Sequence, residues 1–144
     1  MNASKVERAQ RSFEAVPASA RAARQFVVDT LRQQGADEQV VADYALVVSE
    51  LATNIIEHGD GSALVIYVDA GDPNWWELEV AGGSPGCPDG LREPDTWRVA
   101  SAEETSGRGL GIVRHLIDDI TTGTNAGQAS IRCRRRRHMA APLI

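Results

Sequence analysis

The chain has 144 residues, 42% apolar and 24% charged, a composition that fits one globular domain with a hydrophobic core and excludes a low-complexity chain. Net charge is −5, but residues 132–144 hold five Arg and no acid, which leaves −10 for the remainder; an acidic body argues against a broad nucleic-acid surface. The polar start Met1–Gln10 lacks a signal-type apolar core, no apolar run approaches the ~20 residues of a membrane span, and Cys87 and Cys133 lack metal-type spacing, so a cytoplasmic location with free thiols is expected.

Residues 1–11 read as a lead-in. Ser12–Val16 alternates polar and apolar residues, the pattern of a short edge strand, and Pro17 stops it. Ser19 is placed to cap a helix that carries Ala23, Phe26, Val27, Thr30 and Leu31 on one face and ends near Gly35. Asp37 is the expected N-cap of a longer helix running to His58, with Gly59 as its stop. Val41, Ala45, Val48, Ala52 and Ile55 recur at helical spacing and give that helix one buried face. Glu50, Asn54 and His58 fall at i, i+4 and i+8 and form a second, polar stripe. A carboxylate and a carboxamide one turn apart can share a hydrated hard cation such as Mg²⁺. The plain alternative is a solvated helix face.

Asp60-Gly61 makes a turn, Ala63–Val68 is rich in β-branched residues and reads as a strand, and Trp75–Ala81 returns as its hairpin partner across the turn cluster Ala70–Asn74. The Trp75-Trp76 pair is either a base-stacking platform or one core ring and one ring flanking the turn. Gly82-Gly83-Ser84-Pro85-Gly86 breaks the regular structure. The polar stretch Pro88–Ser106, with Pro88 and Pro94, is long enough to be a functional loop such as a lid. Gly107-Arg108-Gly109-Leu110-Gly111 then opens a short helix with Leu110, Val113, Leu116 and Ile117 inward. Glycine-rich turns that lead into helices present backbone N–H groups and a positive dipole end to anions. Ile120–Thr122 and Ala129–Cys133 form a closing hairpin turned at Asn125-Ala126-Gly127. The run Arg134–Arg137 is either a contact for an acidic partner or nucleic acid, or a solvated strand end. Lys5 is the only lysine and no G-x-x-x-x-G-K-[ST] loop is present, so any phosphate chemistry must use backbone N–H groups, arginine and a metal. Helices and strands are segregated. The expected architecture is therefore α+β: a two-layer sandwich over residues 12–137, a mostly antiparallel mixed sheet with helices on one face, and a tail at 138–144.

With these elements in order, the chain resembles the bacterial anti-sigma factor serine kinases, a branch of the ATPase superfamily that includes histidine kinases and gyrase B. Glu50-Leu51-Ala52-Thr53-Asn54-Ile55-Ile56-Glu57-His58-Gly59 is similar to the family's N box, and Gly107-Arg108-Gly109-Leu110-Gly111-Ile112 to its second glycine box. The resemblance implies a histidine-kinase-like ATPase fold that binds ATP and Mg²⁺. It implies Asn54 as the Mg²⁺ ligand and Glu50 as the general base for a partner's serine. Gly107, Gly109 and Gly111 would cradle the phosphates beside Leu110, and the loop between the glycine motifs would be the ATP lid. Arg108 either reaches a phosphate or is a solvated loop cation, and His58 either caps the helix end or takes a direct part in the nucleotide site. The implied partners are a sigma factor and an antagonist protein, with a homodimer as the assembly and neither nucleic acid nor membrane contacted directly.

The first glycine box departs from the family pattern Asp-x-Gly-x-Gly. Its positions read Gly82-Gly83-Ser84-Pro85-Gly86, so Gly82 replaces the Asp that accepts the adenine amino group, Ser84 replaces the first glycine, and only Gly86 matches. Ser130 is the nearest candidate for the hydroxyl that accompanies that Asp. An unpaired donor costs on the order of 1–3 kcal/mol, roughly one to two decades in affinity. Two functions follow: a kinase that binds a sigma factor and phosphorylates its antagonist, or a module of the same fold that sequesters a partner with weak or no ATP binding.

Overall fold

The computed structural model describes residues 8–83 and 108–137. The elements run β1 (Arg8–Phe13), α1 (Ala18–Gln33), α2 (Glu38–His58), β2 (Leu64–Asp69), β3 (Trp75–Ala81), α3 (Arg108–Leu116), β4 (Asp119–Asn125) and β5 (Gln128–Arg136). The strands form one sheet in the order β1-β2-β3-β5-β4, and all four pairings are antiparallel. The helices cover one face, giving the two-layer α+β architecture that the segregated sequence pattern implies.

Local chemistry sets the helix ends. Asp37 caps α2 by accepting a hydrogen bond from the Val40 amide at 2.9 Å. Gly59 ends the same helix in an extended conformation (φ −83°), its amide donating to the Ile55 carbonyl at 2.8 Å. A Cβ at that position would lie 2.4 Å from the Ile55 oxygen, so glycine is required by space. At the end of α1, Gly35 has φ 87°. Its amide donates to Arg32 O and the Ala36 amide to Leu31 O, the paired bonds of a Schellman cap. Ser19 does not cap α1. It is buried inside the helix, and the N-cap position is Pro17, which has no side-chain cap bond.

Two boundaries differ from those expected. β1 occupies Arg8–Phe13 rather than Ser12–Val16, because Arg8 to Phe13 pair with Asp69 to Leu64; the backbone ladder outweighs the short alternating pattern. β4 and β5 extend to Asn125 and Arg136, joined by Ala126 (φ 51°) and Gly127 (φ 81°), the two left-handed residues of a type I′ hairpin turn.

Alternation along the strands sorts the side chains. Leu64, Ile66, Val68, Trp76, Leu78, Val80, Ala129, Ile131 and Cys133 point under the helices and join Val27, Leu31, Val47, Val48, Leu51, Leu110 and Val113 in one core. The opposite face is polar. Buried Glu79 accepts a hydrogen bond from Asn125 at 2.8 Å and lies 3.5 Å from Arg8 and 3.6 Å from Arg132. The tryptophans divide as core ring and turn ring. Trp76 is buried, whereas Trp75 lies on the polar face beneath Arg134 (4.3 Å) and Arg136 (4.8 Å). Arg135 pairs with Asp43, and Arg137 stacks on Trp76 and donates to Ala70 O and Asp72 O. Each arginine of the 134–137 run is thus engaged within the chain.

By length and composition alone α2, at 21 residues and mean hydropathy 1.2, is the one described helix apolar enough to span a bilayer, though Asp43 and Glu50 interrupt it and leave no unbroken apolar run of that length. Its stripe of Asp43, Glu50 and Asn54 and its burial against the sheet mark it as the core helix.

Candidate functional site

The site is built on the second half of α2. Leu51, Ala52 and Ile55 are buried in the core, which fixes the rotation of the helix and leaves Glu50 and Asn54 half-buried beside that apolar face. The Asn54 Nδ2 donates to the Glu50 backbone carbonyl at 2.8 Å. The amide nitrogen is thereby held against its own helix, and the carboxamide oxygen accepts no hydrogen bond among the described residues. The Glu50 carboxylate makes neither a hydrogen bond nor an ion pair among them. A carboxylate and a carboxamide oxygen, both available and one turn apart, form a donor set for a hard cation.

His58 lies outside that set. Its ring is at the last residue of α2, 56% exposed, 4.0 Å from Glu57. The Gly59 amide closes the helix on Ile55 O.

Gly82 sits directly against this part of α2. A Cβ there would come within 2.8 Å of Ile55 Cγ2 and 3.2 Å of Leu64 Cβ, and one on Gly83 would approach Gly59 Cα at 3.6 Å. The end of β3 and the end of α2 therefore touch, one residue from Asn54. The Gly82 amide donates to Ala129 O at 2.9 Å, which continues the β3–β5 ladder.

Ser130 is a correction. It pairs with Ala81, while its neighbour Ile131 pairs with Val80. Val80, Ile131, Ala129 and Cys133 face the helices, so alternation turns Ser130, though buried, to the other side of the sheet. It cannot act beside Gly82 on the helix side; the residue there is Ala129. The apolar alternation Ala129, Ile131, Cys133 was legible in the sequence, but which face of β5 meets the helices is set by its pairing with β3.

α3 packs on α2. Leu110 and Val113 enter the shared core, and Gly111 is buried. Arg108 and Gly109 form its first turn, with the Arg108 side chain outside the described residues. Ser84, Gly86, Gly107 and the expected lid over 87–106 also lie outside them. The clefts described elsewhere do not coincide with the site. One of ≈750 Å³ borders Arg8, Asp72 and Trp75 on the polar sheet face, and one of ≈310 Å³ borders Asp43, His115 and Arg135. Among the described residues no three His, Cys, Asp or Glu side chains gather to hold a metal. A divalent ion here would draw on one or two protein oxygens, with phosphate and water completing its shell, which suits Mg²⁺.

The fit to a magnesium-bound nucleoside triphosphate is thus divided. The Glu50–Asn54 oxygens and the glycine-rich start of α3 suit the phosphate and metal part. At the Gly82 end Ile55 occupies the space a side chain would need.

Fold and site together define a two-layer α+β domain whose core helix α2 carries a carboxylate and a carboxamide along one edge and packs against α3. The sequence matches the histidine kinase-like ATPase domain over residues 13–134, and the chain belongs to that family. No curated protein matches it. Among solved structures it is similar to the RsbU and RsbW domains of Rv1364c from Mycobacterium tuberculosis, with a TM-score of 0.64, 18% identity, and coverage of 95% of this chain and 34% of that one. The chain thus spans about a third of that protein's resolved length, and at this identity the likeness concerns the fold.

Proposed function

We propose that this protein is an anti-sigma factor of the serine-kinase type, which holds a sigma factor and phosphorylates a serine of an antagonist protein in the cytoplasm, working as a homodimer. The observation that carries the reading is the pair Glu50 and Asn54, one turn apart on a helix whose burial fixes their direction, with both side-chain oxygen groups unclaimed among the described residues. Membership of the histidine kinase-like ATPase family supports it. So does the likeness of fold to a structure named for its RsbW domain.

Magnesium-bound ATP would supply the transferable phosphoryl group. Asn54 would hold the metal through its carboxamide oxygen, while the start of α3 would direct backbone N–H groups to the phosphates. Glu50 would accept the proton of the partner's serine hydroxyl as that oxygen bonds to the γ-phosphorus and the bond from phosphorus to the bridging oxygen breaks, releasing ADP. Phosphoryl transfer depends on positioning and charge neutralisation more than on covalent help, so a chain with one lysine has what it needs. The deciding experiment supplies labelled ATP and a serine-bearing antagonist of this class. Label should appear on the antagonist's serine, and Glu50→Ala should abolish it while partner binding persists. Transfer undiminished in Glu50→Ala would refute the assignment of the base.

A second reading is favoured by one observation, the filling of the Gly82 space by Ile55. It describes a module that sequesters its partner without phosphorylating anything. In that case millimolar Mg-ATP leaves the melting temperature unchanged, whereas the kinase reading expects a rise that Asn54→Ala abolishes.

A further inference from the structure

The two long helices carry contrasting outer faces. On α1 the exposed positions include four charges, Arg21, Arg24, Asp29 and Arg32, the usual coat of a solvated helix. On α2 the outer ridge beside Glu50 is Ala42, Leu46, Ser49 and Thr53, aligned by their spacing of four, three and four residues. Ala42 and Leu46 are exposed, Leu46 at 39%, while Ser49 and Thr53 are half-buried. All four are uncharged, and the Ser49 hydroxyl is turned back onto its own helix, donating to Ala45 O at 2.8 Å. The outcome is a helix of mean hydropathy 1.2 whose most apolar stretch is 44% buried within the chain. A ridge that met only water would need no such freedom from charge, whereas the centre of a protein interface is depleted of charged residues.

Position on the helix selects the occupant. Leu46 and Glu50 stand at i and i+4, with Cβ atoms about 5–6 Å apart. A serine hydroxyl that meets the Glu50 carboxylate therefore brings the protein that carries it across this ridge. We infer that the ridge Ala42, Leu46, Ser49 and Thr53 is the docking surface for the protein that presents the phosphoacceptor serine. Leu46 seats an apolar side chain flanking that serine, and the small Ala42 and Ser49 on either side let the partner's backbone approach closely. The chemistry asked of the partner is an uncharged, apolar surface next to its serine. A carboxylate there would be pressed against Glu50, and a charge of either sign would lose water on the ridge without gaining a counter-ion. The inference rests on the reading of Glu50 as the base for a protein substrate, and it makes Leu46 a specificity residue one turn outside the nucleotide site.

Calorimetric titration of the full chain with the serine-bearing antagonist protein of the transfer assay tests it. Leu46→Gln, a change at an exposed helix position, should weaken antagonist binding by about fivefold or more. It should raise KM for the antagonist by the same factor, with kcat and the rise in melting temperature with Mg-ATP unchanged. Ala42→Gln should also weaken antagonist binding, and Leu46→Met should return it to within about twofold of the unaltered chain. Antagonist binding undiminished in Leu46→Gln would overturn the inference and leave the proposed kinase standing. Absence of antagonist binding by the unaltered chain would overturn the proposed function, and this inference with it. Two further outcomes would assign the ridge to another occupant and overturn the inference. One is a dimer that Leu46→Gln turns into monomers in sedimentation, which would give the ridge to a second copy. The other is flotation of the unaltered chain, but not of Leu46→Gln, with phosphatidylglycerol vesicles, which would give it to a lipid surface.

Discussion

The two halves of α2 are built to different ends. In the first half every polar side chain that faces the protein is tied down. Asp43 accepts from Gln39 at 2.9 Å and pairs with Arg135 of β5. The Tyr44 hydroxyl donates to Trp76 O at 2.7 Å, with Cys133 O at 3.1 Å, and so pins the helix to β3 and β5 together. In the second half the Glu50 carboxylate has no partner among the described residues, and the Asn54 side chain is bonded only to its own helix. Burying polar groups costs free energy unless they are paired. A half-buried carboxylate left without a partner stabilises little. One half anchors the helix, and the other presents it.

That contrast can be broken by substitution. The largest effect is expected for Asp43→Ala, which leaves the Arg135 guanidinium, only 16% exposed, without its carboxylate. Loss of one partner of a largely buried pair costs about 2–4 kcal/mol, readable as a lower denaturant midpoint at unchanged slope. Tyr44→Phe keeps the ring but withdraws the donor from two strand carbonyls, for about 1–2 kcal/mol in the same assay. Neither change should weaken nucleotide or partner binding beyond the loss of folded protein.

Alkaline pH attacks the anchored half without mutation. Burial pushes both the Tyr44 hydroxyl and the Cys133 thiol well above their ordinary values of 10.0 and 9.0. The unfolded chain therefore loses these protons first as pH rises, the folded chain holds more of them, and stability falls. It should be level below about pH 8.5 and then decline by up to about 1.4 kcal/mol per pH unit for each group. Cys133→Ala should remove the portion that begins near pH 9. The smallest expected effect is at the presenting half. Glu50→Gln should shift stability by no more than about 0.5 kcal/mol while abolishing phosphoryl transfer. A loss as large as that of Asp43→Ala would show Glu50 to be a structural residue.

Much of this was legible in the order of residues. The periodicity of Val41, Val48, Ala52 and Ile55 fixes α2 and places Glu50 and Asn54 on a neighbouring stripe, because both facts concern a single helix and need only its 3.6-residue period. Asp37 and Gly35 announce helix ends through chemistry confined to a few adjacent residues. The register of β1 was less legible, since Arg8 joins the sheet through backbone pairing with Asp69, which side-chain alternation does not encode. Ser130 shows a different limit. The alternation was present, but deciding which face of β5 meets the helices requires its partner strand.

The sequence by itself determined the elements, their order, and the pairing of a carboxylate with a carboxamide on one helix edge, since each is a property of residues close together in the chain. Only the tertiary structure decided what stands opposite them. That Ile55 fills the room beside Gly82, that Ala129 and not Ser130 faces it, and that Arg135 answers Asp43 are matters of shared volume between distant segments. Close packing allots such space to one side chain alone, and no local pattern records which.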